Sequence, residues 1–251
     1  MSSCSTDRTT TISARRSTRA SRAPCEPPSN ATRARATRCP VPRASLVAKN
    51  VALIDYGAGN LHSVENALRA VGAKVDVTAD AATVAAAQRI VLPGVGSFRA
   101  CIEGLRAVDG MVEALEQRVR GDGVPFLGIC VGMQLLATRG LEHGEWPGLG
   151  WIAGDVRLIE PADDAAKVPH MGWNDVALQR SHSVLEQGEA YFLHSYHFEP
   201  DDAAHIAATT DHGGALVAAV AKDNILGVQF HPEKSQAYGL ATLKRFMEWT
   251  P

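Results

Sequence analysis

The segment Pro125-Phe-Leu-Gly-Ile-Cys-Val-Gly-Met-Gln134 combines a strand signal and a helix signal within ten residues. Its apolar first half predicts a buried strand ending at Ile129, and a helix is predicted over Val131–Thr138. A cysteine between two glycines at such a junction is typical of a nucleophile elbow, because glycine permits a sharp turn that exposes one side chain. The helix N-terminus favours the thiolate form of Cys130. The alternative interpretation is a small buried cysteine at a strand end.

Strand and helix patterns alternate through the first part of the remaining chain. Strands are predicted over 51–56, 74–78 and 89–92, and helices over 61–71, 81–87 and 111–120. Alternation of this kind requires right-handed crossovers and a mainly parallel sheet covered on both faces. The second part has strand patterns joined by short turns, at 156–159, 176–178, 191–193, 206–210, 216–221 and 225–230, and a terminal helix over 237–249. We therefore expect one α/β domain over residues 49–251, with an additional antiparallel part.

A cysteine nucleophile requires a base, and the base requires an orienting partner. The segment Gln229-Phe-His-Pro-Glu-Lys-Ser235 follows the last predicted strand. His231 and Glu233 lie two residues apart, so an extended backbone directs both side chains to the same side. Glu233 is then able to hold one ring nitrogen while the other faces the thiol. A structural or solvated histidine is the alternative for His231 taken alone.

Acyl transfer also requires donors for a developing oxyanion. The backbone amide of Val131, next to the cysteine, is one candidate. The segment Pro93-Gly-Val-Gly-Ser97 follows another predicted strand and offers the amides of Val95 and Gly96. Its glycines permit a peptide flip, which would make the oxyanion hole adjustable. Without the cysteine motif, an ordinary glycine turn would be the preferred interpretation.

Signals for a cofactor, a metal or disulfides are weak. The segment Gly57-Ala-Gly-Asn-Leu-His62 lacks the third glycine of a dinucleotide loop, and it is not a phosphate loop. The segment His194-Ser-Tyr-His197 has no supporting set of metal ligands, and we interpret it as a substrate wall or a core strand. The five cysteines form no C-x-x-C pair. We expect neither cofactor nor metal, and a reducing compartment.

The net charge of −2 conceals a division along the chain. Residues 1–50 carry nine arginines and one lysine against two acidic residues, a net charge of +8, so residues 51–251 carry −10. Residues 1–48 are poor in large apolar side chains and are predicted to be a disordered basic extension. A start codon assigned too early, with the true start near Leu46 or Val47, is the first explanation. An organelle transit peptide and a nucleic-acid-binding arm are the alternatives.

Together these motifs resemble the class I (triad) glutamine amidotransferases, and more narrowly the glutaminase subunits of imidazole glycerol phosphate synthases. The resemblance covers about residues 50–249. The features of the class are the segments 128–134 and 231–233. The narrower resemblance depends on Ile54-Asp-Tyr-Gly-Ala-Gly-Asn60, Pro93-Gly-Val-Gly-Ser-Phe98, Pro169-His-Met-Gly-Trp-Asn174, His194-Ser-Tyr196 and His231-Pro-Glu-Lys-Ser235.

The resemblance implies a three-layer, flavodoxin-like fold and a role for each matching residue. Cys130 would attack the side-chain amide of glutamine, His231 would transfer the proton to the departing ammonia, and Glu233 would orient His231. The other positions carried over are the oxyanion-hole amides of Val95 and Val131, the glutamine-pocket residues Gln134, Glu142, His194, Ser195 and Tyr196, and the partner-interface residues Asn60, Trp173 and Lys234.

The resemblance also implies a partner. The glutaminase would form a heterodimer with a cyclase subunit, a (β/α)8 barrel that receives the ammonia, and it would be nearly silent until the cyclase binds its ligand. A cytoplasmic location is expected, or a plastid if residues 1–46 are a transit peptide. The alternatives are a glutaminase of another pathway such as pyridoxal phosphate synthesis, a cysteine peptidase or esterase, and an inactive binding module.

Overall fold

The computed structural model describes residues 49–162 and 166–251. The predicted basic extension over residues 1–48 lies outside these ranges, so its disorder stays a prediction. Within the described ranges, no helix combines the length and the apolar character needed to cross a membrane.

The described residues form thirteen strands and six α-helices. The strands are β1 (Asn50–Ile54), β2 (Lys74–Thr78), β3 (Arg89–Gly94), β4 (Phe126–Cys130), β5 (Arg139–Gly140), β6 (Trp146–Pro147), β7 (Gly154–Leu158), β8 (His170–Leu178), β9 (Gly188–His194), β10 (Tyr196–Pro200), β11 (Ile206–Asp211), β12 (Ala215–Lys222) and β13 (Ile225–Val228). The helices are α1 (Leu61–Ala70), α2 (Ala81–Ala85), α3 (Phe98–Ala107), α4 (Met111–Leu115), α5 (Val131–Gln134) and α6 (Gln236–Glu248). A π-helical turn over Glu116–Gly121 continues α4, and 3-10 turns lie at Ala203–His205 and Pro232–Lys234.

Nine strands form one mixed sheet in the order β2-β1-β3-β4-β13-β12-β11-β8-β9. The five strands from β2 to β13 run parallel, whereas β12, β11, β8 and β9 are each antiparallel to their neighbours. A smaller sheet has the order β10-β7-β5-β6. The predicted α/β fold, with a mostly parallel central sheet and an antiparallel part in the C-terminal half, is confirmed.

The parallel strands form the centre of the core. Every residue of β3 and β4 is buried, as expected for strands with helices over both faces. Helix α1 buries Val64 and Leu68, and α6, which packs against α1, buries Leu243 and Phe246. Each such side chain contributes about 1.5–3 kcal/mol to folding by leaving water. The carboxyl ends of β3, β4 and β13 are thereby held side by side in register.

Most predicted elements differ from the observed ones by a few residues at their ends, and for two of them the hydrogen bonds explain the difference. The helix predicted over Val131–Thr138 ends at Gln134, because the next three carbonyl groups accept hydrogen bonds from the backbone N–H groups of residues 149–151. The strand predicted over residues 176–178 begins at His170, since its first seven residues pair with β9. The two-residue strands of the smaller sheet are too short to leave a periodic signal in the sequence.

Candidate active site

The bend between β4 and α5 places one cysteine in a strained backbone conformation. Cys130 has φ 54° and ψ −113°, a region that non-glycine residues rarely adopt and that costs about 1–3 kcal/mol. The flanking glycines allow the end of β4 and the start of α5 to approach each other closely. A Cβ on Gly128 would lie 2.5 Å from the Gly132 carbonyl oxygen, and one on Gly132 would overlap the Leu92 carbonyl oxygen. Strain held in this way is typical of functional sites.

A histidine and a carboxylate approach the same bend from the end of β13. The backbone N–H of His231 donates to the Tyr191 carbonyl at 2.9 Å, which fixes the chain after it leaves the sheet. The His231 Nδ1 lies 2.9 Å from Oε1 of Glu233, which is on the 3-10 turn. The two side chains are 3% and 1% exposed. Because Nδ1 donates to Glu233, Nε2 is the ring nitrogen that remains available for proton transfer.

The surroundings of His231 favour the charged form of its ring. Burial alone would lower the pKa of His231, but the nearby Cys130 sulfur and the Glu233 carboxyl group raise it to about 9. Oε2 of Glu233 is buried without a hydrogen-bond partner among the described residues, so its ion pair with His231 is what compensates this carboxylate. At neutral pH the ring is therefore mainly imidazolium, and it supplies a positive charge beside the Cys130 sulfur.

A cavity of about 160 Å³ opens over Cys130. Every residue predicted for the triad, the oxyanion hole or the substrate pocket lines it, except Glu233, which is behind His231. The lining residues are Val95, Gly96, Cys130, Val131, Gln134, Glu142, Leu193, His194, Ser195, Tyr196, His231 and Lys234. A larger cavity of about 540 Å³ lies between β7, β10 and the start of β12, and no cysteine lines it. Among the described residues, no group of three His, Cys, Asp or Glu side chains is arranged to hold a metal ion.

The loop after β3 lies directly beside the cysteine, since Gly94 pairs with Cys130 across the sheet. A Cβ on Gly94 would lie 2.7 Å from the Gly132 nitrogen, so glycine is required there. The Tyr56 hydroxyl donates to the Pro93 carbonyl at 2.6 Å. Gly96 has φ 97°, a conformation that favours glycine.

The carbonyl group of Val95 is bound to a second cysteine. The Cys101 thiol, on α3, donates to this oxygen at a sulfur–oxygen distance of 3.4 Å. Burial raises the pKa of Cys101 to about 11, which keeps the thiol protonated and available as a donor. The orientation of the Val95–Gly96 peptide therefore depends on a buried thiol outside the cavity.

Three of the predicted pocket residues are engaged within the protein. Glu142 Oε2 accepts from the Phe98 backbone N–H at 2.6 Å. The Gln134 amide nitrogen donates to the Tyr196 carbonyl at 2.9 Å. Burial lowers the pKa of His194 to about 3, so its ring is neutral, and it forms hydrogen bonds with the His170 ring and the Tyr196 carbonyl. These contacts make the cavity wall rigid before any ligand enters.

A buried amide at the cysteine was missed by the sequence reasoning. Gln229 is fully buried, and its Nε2 lies 3.7 Å from the Cys130 sulfur. Its Oε1 accepts from Gln134 Nε2 at 2.9 Å. The signal in the sequence was its position two residues before His231, which predicts the same direction for the two side chains in an extended segment.

The predicted interface residues lie on three different segments, and one of them, Lys234, also lines the cavity. Trp173, on β8, is 45% exposed and packs edge-on against Tyr191, with a centroid distance of 6.2 Å. The Lys234 ammonium lies 5.8 Å from the Tyr191 ring and lines the cavity. Asn60 precedes α1, and this helix packs against the turn that carries Lys234. Met171, 65% exposed, extends the apolar surface along β8.

Comparison with known proteins gives the family. The family model for glutamine amidotransferase class-I matches residues 52–248. A protein named imidazole glycerol phosphate synthase subunit HisH, from Zymomonas mobilis, is 58% identical over 205 residues, which is 80% of this chain and 96% of the relative. The HisH subunit of Caulobacter vibrioides is 54% identical and is covered over its whole length, with 81% of this chain aligned. A solved structure described as a glutamine amidotransferase has a TM-score of 0.63 at 18% identity, over 79% of this chain and 97% of that one, which shows a shared fold. The chain is therefore a member of the class I glutamine amidotransferase family.

Proposed function

We propose that this chain is the glutaminase subunit of an imidazole glycerol phosphate synthase, which hydrolyses glutamine to glutamate and ammonia for histidine biosynthesis. The observation that carries the proposal is the strained Cys130 in one cavity with the buried His231–Glu233 pair. The identity to subunits named HisH supports the pathway.

The proposed reaction has two steps at Cys130. The sulfur attacks the side-chain carbonyl carbon of glutamine, and the carbonyl electrons move to oxygen. His231 gives its proton to the nitrogen, which leaves as ammonia when the C–N bond breaks and a thioester remains. His231 then takes a proton from water, which attacks the thioester, and glutamate leaves as the sulfur recovers its electron pair. Glu233 keeps the ring oriented and stabilises its charged form.

The oxyanion of both tetrahedral intermediates requires backbone donors. The Val131 amide, at the start of α5, and the Val95 amide, in the loop beside Cys130, are the proposed donors. Removing one such donor costs about 10²–10³ in rate in other acyl-transfer enzymes. The glycines on both sides of Val95 allow the loop to change its peptide orientation, and we propose that partner binding controls it.

The remaining pocket residues would bind the substrate. Gln134, Glu142 and the segment 194–196 line the same cavity as the Cys130 sulfur and are proposed to bind glutamine. The fixed hydrogen bonds of these side chains support a preformed site.

The partner proposed for the chain is the cyclase subunit, a (β/α)8 barrel that uses the ammonia on a ribotide substrate. The relatives are each named as a subunit, which implies an assembly with another chain. Asn60, Trp173 and Lys234 are proposed to form the docking surface. Trp173 is 45% exposed and, like Lys234, lies against the Tyr191 ring, and tryptophan is enriched among the residues that dominate binding energy at interfaces. Docking at the cavity mouth would keep ammonia from water.

The proposal also includes a cytoplasmic location. It assigns an amidotransferase domain to residues 49–251, preceded by an extension over residues 1–48.

The test measures glutamate release by the full chain, alone, with the barrel cyclase, and with the cyclase and its ribotide ligand. Hydrolysis that increases at least tenfold with the liganded cyclase is the expected result. Stimulation by the synthase subunit of pyridoxal phosphate synthesis instead would assign the chain to another pathway. Peptide cleavage without an effect of glutamine would indicate a peptidase, and no turnover in any arm would indicate an inactive module.

A further inference from the structure

The side chain of Gln229 is a polar group held inside the core next to the reactive sulfur. It is fully buried, and its backbone N–H donates to the Ala218 carbonyl at 2.8 Å, which ties it to β12. A buried amide is costly unless it is hydrogen-bonded. Its carbonyl end has a partner in Gln134 Nε2 at 2.9 Å, and its amino end faces Cys130 Sγ at 3.7 Å.

The direction of this amide is determined by its neighbours. The Gln134 amino group has two protons, and its two acceptors are the Tyr196 carbonyl and Gln229 Oε1, each at 2.9 Å. Turning the Gln229 amide over would place two amino groups against each other, and would place its carbonyl oxygen against the sulfur. The hydrogen-bond network therefore presents N–H, and not oxygen, to Cys130.

We propose that Gln229 is a further catalytic residue, whose N–H stabilises the thiolate form of Cys130 by a direct hydrogen bond. A donor that binds the charged form of a group favours that form. The same contact helps the sulfur to leave when the thioester breaks down, because the electron pair returns to it in that step. This role deepens the proposed glutaminase function and rests on Cys130 being its nucleophile.

Other groups also act on this sulfur, and the test must keep them constant. The titratable groups that line the cavity or approach Cys130 are His194, Tyr196, His231, Lys234, Glu142, Tyr56 and Cys101. A substitution at Gln229 replaces none of these side chains. A change in thiol reactivity is then assigned to the lost donor.

The experiment measures the pH dependence of alkylation of Cys130 by iodoacetamide in the full chain. Tryptic cleavage gives a peptide over residues 121–139 that contains Cys130 as its one cysteine, and a peptide over 100–106 that contains Cys101. Mass spectrometry therefore follows the two thiols separately. The variants are Gln229→Met, which keeps the length without a donor, and Gln229→Glu, which replaces the donor by an acceptor. The exposed Gln179→Met is the matched control, since its amide donates to Thr209 away from the site.

The alkylation midpoint of Cys130 is expected to rise by about 1 pH unit in Gln229→Met and by more in Gln229→Glu, with no change in the control. If the methionine variant does not fold, the polar glutamate variant provides the same measurement. A midpoint within about 0.3 units of the wild type, in a folded variant, would overturn the proposal. Alkylation of Cys130 does not require glutamine, so the alkylation result is independent of the glutaminase function. If Cys130 were not the nucleophile of that function, a Cys130→Ala variant would still release glutamate.

Discussion

Replacing Glu233 by Gln separates the charge of the buried pair from its shape. The carboxylate lies 2.9 Å from the His231 ring and contributes to raising the pKa of that ring to about 9. In the Gln variant the pKa of His231 falls toward the usual value of about 6.5. At pH 8 the imidazolium fraction is about nine-tenths for a pKa of 9 and about 3% for a pKa of 6.5, roughly a thirtyfold difference. If Glu233 supplies half of the elevation, the difference is roughly threefold.

The assay is the pH profile of kcat/KM for glutamine hydrolysis with the liganded partner present. Because His231 has a raised pKa, its charged form is complete below about pH 6.5 and is lost as the pH passes 9 in the wild type. The Glu233→Gln variant is expected to lose activity with a basic limb at least 1 unit lower, and by 3- to 30-fold at pH 8 from the charge state alone. Loss of ring orientation adds to this deficit at every pH. The exposed Glu113→Gln is the control. An unchanged basic limb, with less than a twofold loss of kcat/KM at pH 8, would show that the Glu233 carboxylate does not raise the pKa of His231.

Three other substitutions test separate parts of the account. Gly132→Ala should lower the free energy of unfolding by about 2 kcal/mol or more in urea titrations, because its Cβ overlaps the Leu92 carbonyl; an unchanged midpoint would contradict the elbow geometry. Cys101→Ala frees the Val95 carbonyl, and the ratio of stimulated to basal glutaminase rates should fall at least threefold; an equal ratio would show that this hydrogen bond does not control the loop. Trp173→Ala should weaken cyclase binding by about thirtyfold in calorimetry, and an unchanged Kd would remove it from the interface.

Local patterns predicted the parallel half of the fold well, because its central strands are buried apolar runs and its edge strand β2 alternates apolar and polar residues. Lys74–Thr78 has the predicted bounds, and the strand that ends in the elbow differs by one residue at each end. The end of α5 was not predictable, since the carbonyl groups after Gln134 bond to residues 149–151, which only the folded chain brings near. The same reason explains why the strand His170–Leu178, whose residues 170–176 pair with β9, was predicted only over residues 176–178.

At the site, too, residues within short motifs were predictable from the sequence, whereas contacts between distant residues were not. Cys130 and the pair of His231 with Glu233 were found because each lies in a short motif with its own chemistry. The hydrogen bond between Glu142 and the start of α3 joins residues 44 positions apart, so no local sequence pattern predicts it. Gln229 was missed because its role depends on the sulfur it faces, which is 99 positions away in the chain.

The proposed function requires that Cys130 is the nucleophile in the hydrolysis of glutamine. The most direct test measures glutamate release by the wild-type chain and by Cys130→Ala, each with the cyclase subunit and its ribotide ligand. The variant is expected still to bind the cyclase, and its rate is expected to fall by about 10⁴-fold or more, since removing a triad nucleophile has effects of this order. A Cys130→Ala variant that keeps a tenth of the wild-type rate would show that Cys130 is not the nucleophile.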